Sequence, residues 1–174
     1  MTKATFELIV REHQSMVYSI ACNFFHNPAL AEEVAQDVFL QLYENRNNVG
    51  SQAHVIAWLR RTAVHRCIDA LRQASTRFEV QFDELPDVAD HIVEADPLLE
   101  ERLRRLVASL PEKPRAVMVL RYGEDMDPEE IGLALHMPVR TVWSHLQRAT
   151  ALLREKAARY LKEKEDEPVR TGPS

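Results

Sequence analysis

An all-α fold is predicted by three observations. Glycine is scarce, with four in 174 residues, and strong helix formers dominate throughout. Apolar residues recur at steps of three and four rather than in alternation. Proline and asparagine punctuate the chain where those stripes stop. The first stripe is Phe6, Ile9, Val10, His13, Val17, Ile20, Ala21 and Phe24, which predicts a helix over 6–25. Asn27-Pro28 ends it, and Leu30, Val34, Val38 and Leu42 predict a second helix over 29–44. A polar loop over 45–52 contains Gly50. Ile56, Leu59, Ala63, Cys67 and Ala70 then predict a third helix over 53–73.

Residues 74–96 change character. Seven acidic side chains stand against Arg77 alone, a net of −6, with Pro86 near the middle and no sustained helical period. This reads as a largely extended tether between two domains. Helices resume over 97–109 and 114–123. Two short amphipathic helices then follow over 127–148, with a turn at His136-Met137-Pro138. Asp127 suits an N-cap, Pro128 the first helical position, and Glu130 a capping box. Ile131, Leu133, Ala134 and Leu135 supply the apolar side of the first. Val142, Leu146, Ala149 and Leu153 form the buried stripe of the second, which runs to about residue 161. The polar end, 162–174, is expected to be a disordered tail. The predicted organisation is therefore 1–73, a linker over 74–96, 97–161, and a tail.

The formal net charge of −5 is unevenly spread. Residues 1–73 are balanced and 97–174 carry +1, so the acidity belongs mostly to the linker. Within 139–162, six Lys/Arg face Glu155 alone. Local basic charge matters more to a nucleic-acid partner than the global balance. No apolar run is long enough to span a membrane, and the N-terminus lacks the pattern of a signal peptide, so a cytoplasmic protein is expected. Cys22 and Cys67 sit in apolar helical contexts and are expected to be reduced. No phosphate-cradling glycine loop, metal-spaced Cys/His set or serine elbow is present, which argues against an enzyme and against a bound metal or cofactor.

Two places concentrate chemistry. The two short helices over 127–148 have the pattern of a DNA-reading helix-turn-helix. Arg140, Thr141, Trp143, Ser144, His145, Gln147 and Arg148 are predicted to point outward near a helix N-terminus. An ordinary helical hairpin with a polar face is the competing reading. The third helix is the other. Over 57–73, Arg60, Arg61, Arg66 and Arg72 are opposed only by Asp69, and Arg61, His65, Asp69 and Arg72 share one face. Local surface pairs, His65–Asp69 and Asp69–Arg72, are the alternative there.

Three motifs, AEEVAQDVFLQLY, AWLRRTAVHRCIDALR and LPEKPRAVMVLRYGEDMDPEEIGLALHMPVRTVWSHLQRATALLRE, occur in an order that resembles the sigma factors of bacterial RNA polymerase. The resemblance is to the short extracytoplasmic-function group, which lacks the third conserved domain. It covers 6–73, as their second region, and 110–161, as their fourth. It implies that Glu33, Gln36 and Asp37 grip the clamp helices of core RNA polymerase. It implies that Asn47, Asn48, Gln52, Arg60, Arg61, His65, Asp69 and Arg72 belong to the part that melts and reads the promoter −10 element. Arg140, Thr141, Trp143, Ser144, His145 and Arg148 become the candidates for the −35 element. It further implies promoter DNA and an anti-sigma factor as partners, and no small-molecule substrate. The chain departs from the family pattern at His136, where a turn glycine is frequent, and at Trp143 and His145, where basic residues are usual. Val64-His65 replaces a frequent Arg-Asn pair. Trp143 could pack on a sugar or a thymine methyl or fold back onto its domain, and the second reading is slightly favoured. A stand-alone helix-turn-helix regulator and a protein-only helical adaptor are the alternatives. The first usually needs a dimer seam or an effector domain, and neither pattern is visible.

Overall fold

The computed structural model describes residues 2–45, 51–77 and 97–165, and every regular element among them is helical. In chain order these are α1 (Lys3–Phe25), α2 (Pro28–Glu44), α3 (Gln52–Arg77), α4 (Pro97–Ala108), α5 (Glu112–Met118), α6 (Pro128–Leu135) and α7 (Val139–Glu165). A π-helical turn, Val119–Gly123, continues α5.

The helix ends follow local chemistry. Thr2 caps α1 by accepting from the Thr5 amide. Asn27 caps α2 in the same way at Leu30, with Pro28 at the first helical turn, where its missing N–H costs nothing. At α6 the capping box is complete. Asp127 accepts from the Glu130 amide at 2.8 Å, and Glu130 accepts from the Asp127 amide at 2.9 Å.

Helices α1, α2 and α3 pack together around Val17, Ile20, Phe24, Val34, Val38, Leu42, Leu59, Ala63 and Cys67, all buried. These are the predicted stripes. Helices α5, α6 and α7 pack around Val117, Leu120, Ile131, Ala134, Val142 and Leu146. The two sets share one continuous core rather than standing apart: α3 lies against α5 and α6, and α1 lies against α4 and the π turn.

Four expectations need correction. Helix α3 runs to Arg77, so 74–77 belongs to the helix and not to the tether. Residues 78–96 lie outside the described residues. Helix α7 continues to Glu165, so the tail cannot begin at 162. Leu133 lies outside the core at 77 % exposure, because its neighbours Ile131, Ala134 and Leu135 already fill the inward side of this two-turn helix. Trp143 does not fold back: it is 52 % exposed on the outer side of α7.

Candidate nucleic-acid and polymerase interfaces

Glu33, Gln36 and Asp37 are all exposed on α2, opposite the buried Val34, Val38 and Leu42. Beside them the chain shows Leu40, 57 % exposed, and Phe39, Phe6 and Tyr43 line a groove between α1 and α2. Phe6 and Tyr43 meet edge to face at 5.2 Å. An apolar strip bordered by carboxylates is suited to a partner helix that carries both apolar and basic side chains.

The outer side of α7 carries Arg140, Trp143, Ser144 and Arg148, all exposed, while Thr141 and His145 are half-buried. The Ser144 hydroxyl donates to the Arg140 carbonyl at 3.1 Å within the helix. Burial holds the His145 imidazole below its ordinary range, helped by Lys113 and Arg148, so it is uncharged near neutral pH. This side of α7 offers two arginines and neutral donors rather than a continuous cationic strip.

The turn before α7 is built on two residues. His136 takes the left-handed conformation at φ 52°, and its amide bonds the Gly132 carbonyl. It thus occupies the turn position that glycine often fills, at some conformational cost. Met137 also donates to the Gly132 carbonyl, at 3.0 Å. A Cβ on Gly132 would lie 2.8 Å from the Met137 carbonyl oxygen, so close approach of the turn requires glycine there.

The polar face of α3 is arranged differently. Arg60 donates to Glu124 at 3.2 Å. Arg61 donates to the His136 ring nitrogen. His65 Nε2 bonds the Ala134 carbonyl at 2.9 Å, and its ring lies 5.9 Å from that of His136. Arg72 forms a two-bond fork with Glu112, at 2.7 and 2.9 Å. Thus four residues proposed from sequence for one role are brought together, but against the C-terminal half. Asp69 is exposed beside them and lines a small cavity with His65, Arg72, Glu112 and Lys113. The fork draws Arg72 to Glu112, so the anticipated local pairing with Asp69 contributes only through longer-range charge. Asn47, Asn48 and the side chain of Gln52 lie outside the described residues.

Sequence reasoning missed Arg115. It is buried at 7 % exposure, in a helix where Pro114, Ala116 and Val117 are buried too. Its guanidinium donates twice to the Leu110 carbonyl, at 2.7 and 3.0 Å, and once to the Phe24 carbonyl at 3.3 Å, and lies over the Phe24 ring. Burial lowers it to about 10, which leaves it charged at neutral pH. A cation so placed ties the end of α1 to the start of α5. Glu101 adds a second tie: its carboxylate meets His26 at 2.8 Å and Arg105 at 2.9 Å, and the Arg105 bond is the main cause holding it below the usual carboxylate range.

This pairing of a three-helix unit bearing a polar α2 face with a helix-turn-helix unit is the architecture of a polymerase specificity subunit. Residues 9–77 match the family described as Sigma-70 region 2, and residues 100–153 match Sigma-70, region 4. The chain is 33 % identical over 153 residues to the RNA polymerase sigma-E factor of Streptomyces avermitilis, covering 86 % of this chain and 83 % of that one. It is 27 % identical over 162 residues to the ECF RNA polymerase sigma factor SigW of Bacillus subtilis, covering 84 % and 86 %. The fold resembles that of the sigma factor RpoE bound to the anti-sigma factor NepR from Bartonella quintana, with a TM-score of 0.67, 16 % identity, and 87 % and 95 % coverage. It also resembles CnrH in complex with the cytosolic domain of CnrY, with a TM-score of 0.64, 20 % identity and 90 % coverage of both chains. The chain belongs to the sigma-70 family of RNA polymerase sigma factors, in its extracytoplasmic-function group. Among the described residues, no helix is long and apolar enough to cross a membrane.

Proposed function

We propose that this sigma factor binds core RNA polymerase through α2 and directs initiation with two DNA-facing helices, α3 at the −10 element and α7 at the −35 element. The observation that carries this reading is the co-occurrence, in order, of the region 2 and region 4 matches on a chain whose α2 carboxylates and α7 arginines are exposed. Glu33, Gln36 and Asp37 present an acidic and amide surface to basic clamp residues, with Leu40 supplying apolar contact. On α7, Arg140 and Arg148 serve phosphates or guanine edges, Thr141 and Ser144 donate to either, and His145 acts as a neutral hydrogen-bonding group. Trp143, being exposed, is available to a sugar or a thymine methyl. On α3, Arg60, Arg61, His65 and Arg72 would bind the backbone and extruded bases of the opened −10 strand, assisted by Asp69 and by Asn47, Asn48 and Gln52. An anti-sigma factor is the proposed regulatory partner; the sigma factor RpoE, of similar fold, is known in complex with the anti-sigma factor NepR. The proposed activity involves no catalytic residue of the chain itself, and its proposed location is the cytoplasm.

Run-off transcription with purified core polymerase on a promoter library tests the proposal. Promoter-specific transcripts that require the protein are expected. Tight DNA binding without polymerase, together with no support of initiation, would establish a stand-alone regulator instead. In a parallel pull-down, Gln36→Lys together with Asp37→Lys is expected to weaken core binding with the fold intact; unchanged affinity would remove α2 from the interface.

A further inference from the structure

We infer that Trp143 is the specificity-determining residue of the α7 reader, and that it selects thymine in the −35 element through the 5-methyl group of that base. The inference rests on the proposed −35 role of α7 and adds the base and the chemical group that the helix distinguishes.

The exposed side of α7 is one stripe: Arg140, Trp143, Ser144, Gln147 and Arg148 recur at steps of three and four. Trp143 stands in the second turn, about one turn after Arg140 and one turn before Gln147, where a helix laid in the major groove meets base edges. Val142, Leu146 and Ala149 already fill the inward side of the helix, so the indole has no place in the core and the residue is 52 % exposed. The short side chains around it that could read a base by hydrogen bonding are spent or withdrawn. The Ser144 hydroxyl donates its one proton to the Arg140 carbonyl at 3.1 Å, and Thr141 and His145 are half-buried. Between Arg140 and Gln147 the helix therefore offers a large apolar face. Of the four bases, only thymine carries a methyl group into the major groove; the edges of guanine, adenine and cytosine present donors and acceptors there. An indole laid on such an edge desolvates polar groups that its single N–H cannot satisfy, whereas on a methyl it covers apolar surface. A phosphate is the poorer partner, because the indole carries no charge to attract it. The same side chain thus attracts thymine and disfavours the other three bases.

The test uses holoenzyme reconstituted with core polymerase, and promoter duplexes that it selects from a library randomised over the −35 element. The selected duplexes are expected to share a thymine at one position or more, and selection by the Trp143→Ala holoenzyme is expected to lose that preference. Replacing each shared thymine by deoxyuridine then removes the methyl and keeps the base pairing. At the position Trp143 reads, the parent should bind the uracil duplex about fourfold more weakly, the effect of one buried methyl. Trp143→Ala should bind the two duplexes equally. Trp143→Arg should also bind them equally, with overall affinity supported by the new cation, so that lost discrimination is not mistaken for lost binding. Equal binding of thymine and uracil duplexes by the parent at every position overturns the inference. So does a uracil penalty that persists undiminished in both variants, and so does a selected set with no shared thymine. Arg140→Ala with Arg148→Ala separates the two layers. If that pair weakens promoter binding while the uracil scan is silent, the thymine reading is wrong and the −35 role stands. If neither that pair nor scrambling of the −35 element alters binding, the −35 role is wrong, and the thymine reading falls with it.

Discussion

Helices α3 and α7 carry comparable chemistry and meet different fates in the same chain. Each presents arginines and a histidine on one side. On α7 the exposed Arg140 and Arg148 face outward, while on α3 Arg60, Arg61 and Arg72 are each bonded to a group of the C-terminal half. The difference shows that a basic helix is defined as an interface by what answers its charges, and that the answer can lie far away in sequence. Glu112 is 40 residues from Arg72, and Glu124 is 64 from Arg60.

The strongest way to break the comparison is to remove what holds the two halves together. Arg115→Ala is expected to cost about 3 kcal/mol, because it strips charge-assisted bonds from two carbonyls and leaves a cavity over Phe24. Denaturant unfolding checks this; a loss under about 1 kcal/mol would mean that Arg115 is not the tie between α1 and α5. Next comes the α7 side. Gly132→Ala is expected to destabilise by roughly 2 kcal/mol, since the new methyl meets a backbone carbonyl that must shift. It should also lower −35 duplex binding more than it lowers core binding.

A smaller effect is expected from His145→Lys, which converts a neutral group beside Arg148 into a cation. The slope of log affinity against log salt for −35 DNA should steepen by about 0.9 if one more phosphate is neutralised. Acidification acts on the same residue in the opposite sense for stability. Its range is depressed in the fold, so stability is lost as the pH falls from the ordinary histidine range toward the folded value. The smallest effect concerns Glu124. Burial raises its carboxyl above the usual range, outweighing Arg60, so the fold binds its proton more tightly than the unfolded chain does. Stability from this group is present at low pH and lost as pH rises through the folded value. Glu124→Gln should therefore match or slightly exceed the parent in thermal midpoint at neutral pH. That difference should disappear on acidification, as differential scanning calorimetry would show.

The helices were legible because their buried stripes are nearly continuous: Val34, Val38 and Leu42, or Val142, Leu146 and Ala149, are buried as periodicity requires. The caps at Asn27 and Asp127 were equally plain, since each is a local rule of side chain and spacing. Periodicity also placed Glu33, Gln36 and Asp37 outward. It failed where packing is not local. Arg115 was passed over because an arginine in a helix is ordinarily solvated, and only the approach of Phe24 and Leu110 makes its burial favourable. The covering of α3 was invisible for the same reason. A polar stripe looks alike whether water, DNA or another helix faces it. Leu133 and Trp143 failed in the other direction, as apolar side chains that the short helix-turn-helix has no room to bury. The role of Gly132 had a signal that went unread: a glycine inside a short amphipathic helix, four residues before a left-handed turn.

The contrast between a covered α3 and a presented α7 is tested most directly by photo-crosslinking to promoter DNA that carries crosslinkers across the −35 and −10 positions, with adducts mapped by mass spectrometry. For the free chain, adducts are predicted on residues 139–148 of α7 and not on Arg60, Arg61, His65 or Arg72. With core polymerase present, both sets should appear. Adducts on α3 in the free chain at the yield seen with polymerase would contradict the account, and so would an α3 that remains unlabelled in the holoenzyme.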